Sequence, residues 1–526
     1  MTTFPEFDPL PFESEVVSSD IFTELLLPPG TGKLLSLEIL KSIANGMQGK
    51  TFHHHLHILY DLRSSLGPDP EKKKKYLEIG TYNGGSACLM MLHPFPTDIY
   101  CIDPLNLPGS KGRIEDPPLN LSSSEEQFDI TLKNFNKFNI FQREVKVIRG
   151  YSSDFDRVLR PVYSDGLTFD LILIDGSHKY QDVINDFVNY YSLLNQQGYL
   201  VFDDYHDKGY SPEVRVAVDH IVQGIKSEKF LGKFEIIGCL KNVSNASPNL
   251  GPDNNCFIIY RPILRSDIIF AVIIATYHRP NGKTKGYLKK AFECLRNQRY
   301  QNFKVFLIGD RYSAGEDTVG NNEKQEESEE FQSFRTELAL SKMYMENLSV
   351  AHERDNCRKP RNLWTIGGAN AMNHGLRKAR EQGFKYTVHL DDDDLWHPNH
   401  LRNLAMAYEQ FPNIVFACTK GIIGNSTSGI LPYVSGYGPG NFIPKGNDCF
   451  HSCQSFRCDI LPFEYKTLKL ENGQNEPDYE PADLVMLRSI GEFIQSQGNQ
   501  KDNETKWNSI CVPHITCFRS QEHSNV

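Results

Sequence analysis

Short apolar runs of strand length recur along this chain with helix-length stretches between them, and the series starts twice. KYLEIG, DIYCID, VKVIRG, FDLILID and GYLVFDD follow one another from Lys75 to Asp204, and FEIIGC and CFIIYRP close the series at Pro262. A new run, DIIFAVIIATY, opens at Asp267 and is followed by KVFLIGD and YTVHLD. Strands alternating with helices predict α/β domains on mostly parallel sheets. The two closely spaced late runs of the first series predict an antiparallel hairpin closing its sheet. At 526 residues the chain exceeds one ordinary domain. The expected domains are 1–262, with a helical lead-in over about 1–70, and 263–526. Within the second, SAGEDTVGNNEKQEESEE is acidic and poor in apolar residues, which predicts a flexible surface insertion over about 312–332.

Composition narrows the function classes. With 39% apolar and 11% aromatic residues the chain can build proper cores. No apolar run reaches the roughly 18 residues that cross a bilayer. MTTFPEFDPL lacks a signal-peptide pattern, so a cytoplasmic protein with no membrane span is expected. A net charge of −10 argues against nucleic acid as the partner. Twelve cysteines without CxxC pairs read as reduced thiols. Their tightest group, Cys449, His451, Cys453 and Cys458, has a spacing that fits no common zinc finger.

YLEIGTYNGGSACLMM reads as a strand, a glycine turn and a helix. Gly80, Gly84 and Gly85 allow a sharp bend and close approach of a ligand. Tyr82 stands where a dinucleotide fingerprint needs a glycine, so a pyrophosphate cradle is disfavoured. With Glu78, the spacing Glu-x-Gly-x-x-x-Gly resembles the first motif of class I S-adenosylmethionine-dependent methyltransferases. The resemblance implies a Rossmann-like domain binding S-adenosylmethionine, with Asp103 on the ribose and Ser152, Ser153 and Asp154 at the adenine.

FDLILIDGSHKY ends a buried strand in Asp175 with His178 close behind, and GYLVFDDYHD ends the next in Asp203 and Asp204. Residues past the carboxyl ends of adjacent parallel strands converge on one crevice, and carboxylates meeting there call for a cation, for which oxygen ligation suits Mg²⁺. These motifs resemble the metal-dependent O-methyltransferases of the macrocin O-methyltransferase kind, which methylate sugar hydroxyls. That implies Mg²⁺ on Asp175, Asp203 and Asp204, Asp175 also at the cofactor, and His178 as the general base. A helix cap or turn for Asp203 and Asp204, and a satisfied turn histidine for His178, are the structural alternatives.

In the second series, AVIIATYHRP carries Thr276, Tyr277 and Arg279 past a strand, and KVFLIGD ends in Asp310. NLWTIGGANAMNHGLRKA enters a helix bearing Asn370 and Asn373. HLDDDDLW follows a strand with four aspartates, and LWHPNHLRNLAMAY is expected to leave it as a helix. This order resembles the inverting glycosyltransferases of GT-A fold, of the family two kind. It implies a nucleotide-sugar donor held by the first strand, Asp310 and Asn370. Mn²⁺ or Mg²⁺ would sit on Asp391 and Asp393, with Asp391 also touching the donor, Asp394 supporting and Asp392 a spacer. HSCQSFRCDILP resembles the family's acceptor-side strand, and EPADLVMLRSIG its general-base helix. Asp483 is the favoured base there, with Glu480 the runner-up and a helix cap the structural alternative. In the tail, His523 is the further metal candidate.

The whole chain is then expected to be a bifunctional enzyme that extends and O-methylates a glycan. Tailoring of a polyketide or phenolic small molecule, and a scaffold with one inactive half, are the alternatives.

Overall fold

The computed structural model describes residues 56–68, 73–105, 124–207, 209, 211–239, 256–279, 282–310, 329–338, 342–348, 359, 361–362, 366–423, 430–431, 439–445, 449–467, 478–497 and 507–519. The chain divides into two compact units, one ending at Leu264 and one running from Arg265.

The first unit carries strands β1 (Lys74–Ile79), β2 (Thr97–Asp103), β3 (Val145–Arg149), β4 (Phe169–Ile174), β5 (Leu194–Phe202), β6 (Glu235–Cys239) and β7 (Phe257–Tyr260). Its helices are α1 (Leu56–Ser65), α2 (Gly85–Leu92), α3 (Ser124–Phe138), α4 (Tyr180–Tyr190) and α5 (Pro212–Lys226). The remainder of the expected lead-in, before α1, lies outside the described residues. The sheet order is β3-β2-β1-β4-β5-β7-β6. β1 to β5 pair in parallel, and β7 runs antiparallel to both β5 and β6. The expected hairpin therefore forms, but β7 is inserted inside the sheet and β6 takes the edge. Burial explains the choice: Phe257, Ile258 and Ile259 are buried, whereas Glu235 on β6 is exposed and its neighbours only half-buried. Fully burying a large apolar side chain is worth about 1.5–3 kcal/mol, which favours the more apolar strand inside.

Strand order reverses between β1 and β4. The chain moves outward through β2 and β3, then returns to the far side of β1. A crevice opens at such a switch point, beyond the carboxyl ends of the two strands.

The second unit carries β8 (Phe270–Thr276), β9 (Phe303–Asp310), β10 (Met343–Leu348), β11 (Tyr386–His389), β12 (Leu395–Trp396), β13 (Ile414–Ile423), β14 (Ile430–Leu431), β15 (Gln454–Arg457) and β16 (Asn508–Arg519). Its helices are α6 (Lys283–Arg296), α7 (Glu329–Glu337), α8 (Ala369–Glu381), α9 (His400–Gln410) and α10 (Ala482–Gln497). The order is β10-β9-β8-β11-β15-β13-β16-β12, with β14 beside β13. β8 to β11 are parallel and β15 joins β11 antiparallel. Here the reversal falls between β8 and β11, so the turn after β8 meets the acidic run after β11.

Two expectations change. Leu395 and Trp396 do not begin a helix: they form β12 and pair with Phe518 and Cys517 of β16, so α9 starts only at His400. In the acidic insertion, residues 311–328 lie outside the described residues, and Glu329 already begins α7, whose Phe331 is fully buried.

Candidate active sites

In the first unit β1 runs straight into a tight turn. Gly80 has φ +92°, and a Cβ there would stand 1.8 Å from the backbone oxygen of Asp175, so the turn touches the end of β4. Gly84 has φ +82° and its Cβ would lie 2.3 Å from Phe135 Cε1; Gly85 then opens α2. Glu78 is buried and accepts the Tyr76 hydroxyl at 2.9 Å. Asp103, at the end of β2, accepts the Tyr82 N–H at 2.9 Å and the Leu105 N–H at 2.7 Å, which straps the turn to its neighbouring strand.

After β3, the Ser152 hydroxyl donates to Asp186 on α4, and the Tyr190 hydroxyl donates to the Ser152 carbonyl at 2.8 Å. Asp186 is buried, which pushes its carboxyl up to about 7 against the pull of Ser152. Ser153 is exposed. Asp154 caps the π-helical turn Phe155–Leu159, accepting the Arg157 N–H at 3.1 Å.

At the carboxyl end of β4, Asp175 and His178 meet Asp204. One ligand atom from each of the three lies within 4.8 Å of the other two, and His178 Nε2 is 3.1 Å from Asp204 Oδ2. Among the described residues this is the only group of three or more His, Cys, Asp or Glu side chains with such spacing. Asp204 reaches it by adopting φ +58°, and the Ser211 hydroxyl donates to it at 3.2 Å. Asp203 is buried and accepts the Cys256 thiol at 3.5 Å. A small cleft opens beside Asp175, His178 and Asp203. Two carboxylates and an imidazole at this spacing fit a divalent cation. The nitrogen donor shifts the preference from Mg²⁺ toward Mn²⁺ or a later first-row ion.

In the second unit, Thr276 ends β8 and donates its hydroxyl to Asp392 at 2.9 Å. Arg279 then grips the same carboxylate with two bonds, 2.8 and 2.7 Å, and lies 3.8 Å from Asp393. Burial alone would lower the Arg279 pKa; the Asp392 pair outweighs it and raises it. The guanidinium also stacks 4.3 Å from the ring centroid of Tyr277, which is partly exposed. Asp310 ends β9 and is buried; Asn370 stands in the first turn of α8. Asp393 and Asp394 are buried beside Asp392, while the Asp391 side chain is 38% exposed. Asp391 donates its N–H to Ser452 Oγ at 2.9 Å, and its Oδ1 lies 2.6 Å from His451 Nδ1. His451 is thereby engaged with Asp391 and the Cys458 thiol with the Phe384 carbonyl, and among the described residues the cysteine-rich segment forms no group with metal-ligand spacing.

On the acceptor side, Asp483 lies in the first turn of α10 and its carboxylate accepts the Leu484 N–H at 2.9 Å. Glu480 is exposed and paired with Arg488 at 2.9 Å. His523 lies outside the described residues.

Comparison with known proteins matches residues 77–205 to the methyltransferase domain family and residues 348–462 to glycosyl transferase family 2. An uncharacterized glycosyltransferase, R139, of Acanthamoeba polyphaga mimivirus is 37% identical over 268 residues, 49% of this chain and 96% of the relative. A second protein of that virus, the uncharacterized R132, is 39% identical over 236 residues, 43% of this chain and 96% of its own. The chain joins a methyltransferase domain to a family 2 glycosyltransferase domain. A crystal structure of S. aureus TarS residues 1–349 overlaps 48% of the chain and 60% of its own, at 11% identity and a TM-score of 0.31, a likeness that places no residue.

Within the methyltransferase unit, the structure gathers Asp175, His178 and Asp204, while Asp203 lines the cleft beside them without joining the group. Consecutive residues leaving a strand point to opposite sides, so Asp203 and Asp204 do not share one face. In the glycosyltransferase unit Asp392 is no spacer: it is the anchor that ties the acidic run to β8. Its partner Arg279 is 113 positions away, and no local signal pairs them. Asp186 was also invisible in the sequence, as an aspartate inside an amphipathic helix. His389, His451 and Tyr465 were not read as a group, although His389 directly precedes Leu390 and the acidic run.

Proposed function

We propose that the chain is a bifunctional enzyme that transfers a sugar from a nucleotide-sugar donor and O-methylates a sugar hydroxyl with S-adenosylmethionine. The observation that carries this is the repeated placement of carboxylates where each sheet reverses its strand order: Asp175 and Asp204 in one unit, Asp391 to Asp394 in the other.

In methyl transfer, the acceptor oxygen attacks the sulfonium methyl carbon. A C–O bond forms, the C–S bond breaks, S-adenosylhomocysteine leaves and the hydroxyl proton is released. Gly80 and Gly84 let the turn close against Asp175 and Phe135 and so shape the cofactor's crevice, with Asp103 at the ribose and the Ser152 turn at the adenine. Asp175, His178 and Asp204 would hold a divalent cation, whose chemistry there is to acidify a bound hydroxyl. An imidazole lone pair given to a cation cannot also take a proton, so His178 serves in this scheme as a ligand instead of the base. In glycosyl transfer, Asp483 removes the acceptor proton, the acceptor oxygen attacks the anomeric carbon, and the bond to the nucleoside diphosphate breaks with inversion. Asp391 and Asp393 would hold Mn²⁺ or Mg²⁺, which neutralises the diphosphate when bound. The cysteines in the described residues are free thiols, which supports a reducing, cytoplasmic setting.

Joining the two activities suits an acceptor that both receives a sugar and is methylated, because tethering raises its local concentration. Asp393→Ala is expected to abolish metal-dependent nucleotide-sugar turnover and leave S-adenosylhomocysteine affinity intact. Asp204→Ala is expected to stop methyl transfer and leave sugar turnover intact. Loss of both activities in either folded variant would sink the assignment of two separate sites.

A further inference from the structure

Asp391 is the most exposed of the four aspartates in the acidic run, and it is gripped from behind. Its N–H goes to Ser452 Oγ, and Ser452 is itself anchored because its carbonyl accepts Trp396 Nε1–H at 2.7 Å. Its carboxylate meets His451 Nδ1 at 2.6 Å. On the other side of the imidazole, Nε2 lies 2.7 Å from the Tyr465 hydroxyl and 3.1 Å from His389 Nδ1; the Tyr465 hydroxyl also contacts His389 Nδ1. Tyr465 is in turn clamped by Asn373 of α8, which accepts the Tyr465 N–H at 2.7 Å and donates to its carbonyl at 2.8 Å.

This chain of polar groups is expensive to build. His389 is fully buried, Tyr465 is 5% exposed, and His389 Nε2 has no hydrogen-bond partner among the described residues. Buried ionic groups can often be replaced by well-packed apolar side chains without loss of stability. This network ends on a carboxylate at the mouth of the crevice. The proton placement that satisfies its contacts is directional. His451 Nδ1–H donates to Asp391, the Tyr465 hydroxyl donates to His451 Nε2, and His389 Nδ1–H donates to Tyr465, leaving the unpartnered Nε2 without a proton. Each member therefore fixes the ring or hydroxyl before it.

We propose that His451 is a positioning residue that sets the Asp391 carboxylate for its work on the donor-side cation, and that Tyr465 and His389 set His451. The proposal rests on the reading of Asp391 and Asp393 as cation ligands. Partners that orient a metal ligand are typically worth about 10–100-fold in metal affinity.

The test uses the full chain carrying Asp204→Ala, which removes the other proposed cation site, and Mn²⁺ titrated by electron paramagnetic resonance in the presence of UDP, GDP or ADP, with thermal unfolding alongside. His451→Ala is expected to raise the Mn²⁺ Kd about tenfold. His451→Asn, which keeps a donor at the Nδ1 position, should restore most of that affinity; His451→Gln, which keeps one at the Nε2 position, should not. Tyr465→Phe removes only the hydroxyl and should give a smaller rise with unchanged unfolding. In each case sugar turnover should recover as Mn²⁺ is raised, so KM for the metal rises while kcat is preserved, which a merely structural defect would not produce. Wild-type Mn²⁺ affinity in Tyr465→Phe and in a folded His451→Ala overturns the proposal. If His451→Ala does not fold, unchanged affinity in Tyr465→Phe alone overturns it. Asp393→Ala in the same background distinguishes the two levels: nucleoside-diphosphate-dependent Mn²⁺ binding that survives this change overturns the cation-ligand reading itself.

Discussion

Asp392 is tied down by side chains from the turn after β8. It is 5% exposed and accepts three bonds, two from Arg279 and one from Thr276. Removing one member of a buried ion pair leaves the other charge stranded, at a cost of about 3–5 kcal/mol. Asp392→Ala is therefore expected to destabilise the glycosyltransferase unit by up to about that much, because Arg279 keeps its burial, loses its two-bonded carboxylate and retains only Asp393 at 3.8 Å. Chemical denaturation followed through that unit is the measurement, and a loss below about 1 kcal/mol would reduce the pair to the worth of a surface contact. Spacing along the chain pointed to Asp391 and Asp393 as a pair and passed over Asp392. Side-chain alternation is a local property, but the direction of Asp392 is set by Arg279 across a strand boundary.

At the scale of elements, the turn between β1 and α2 is the part of the methyltransferase unit most exposed to a single substitution. A Cβ at Gly80 would meet backbone, the Asp175 carbonyl, at 1.8 Å, and backbone cannot swing aside as a flexible side chain can. The φ of +92° adds conformational strain for any L side chain. Gly80→Ala should separate β1 from β4, abolish S-adenosylhomocysteine binding by calorimetry and lower the unfolding temperature of that unit; retained binding would show that the turn can shift. The strand–turn–helix that makes this site was legible because glycine, apolar run and amphipathic helix are all local signals. The insertion of β7 between β5 and β6 was not, nor was β12, since both depend on which distant strand offers the better partner. The same holds for Asp203 and Asp204. Their identity at a strand end was readable, and the φ of +58° that turns Asp204 alone toward His178 was not.

At the scale of the whole molecule, the two units have separate sheets and separate candidate sites, so ligands should stabilise them separately. Binding to the folded form alone raises apparent stability by mass action, by about 2.7 kcal/mol at 100 times Kd. With Mn²⁺ present throughout, S-adenosylhomocysteine is expected to raise one calorimetric transition and a nucleoside diphosphate another. A single transition shifted equally by either ligand would show that the units unfold as one. The sequence by itself determined the two α/β series, the turn glycines and the presence of carboxylates at strand ends, because hydrophobic period and backbone permissiveness are written locally. Only the tertiary structure decided which carboxylates meet: Asp204 rather than Asp203 beside His178, Asp392 on Arg279, and Asp391 on His451 with Tyr465 and His389 behind it. Those choices depend on strand order and on contacts between residues tens to more than a hundred positions apart, and burial makes each pairing costly to leave unmade.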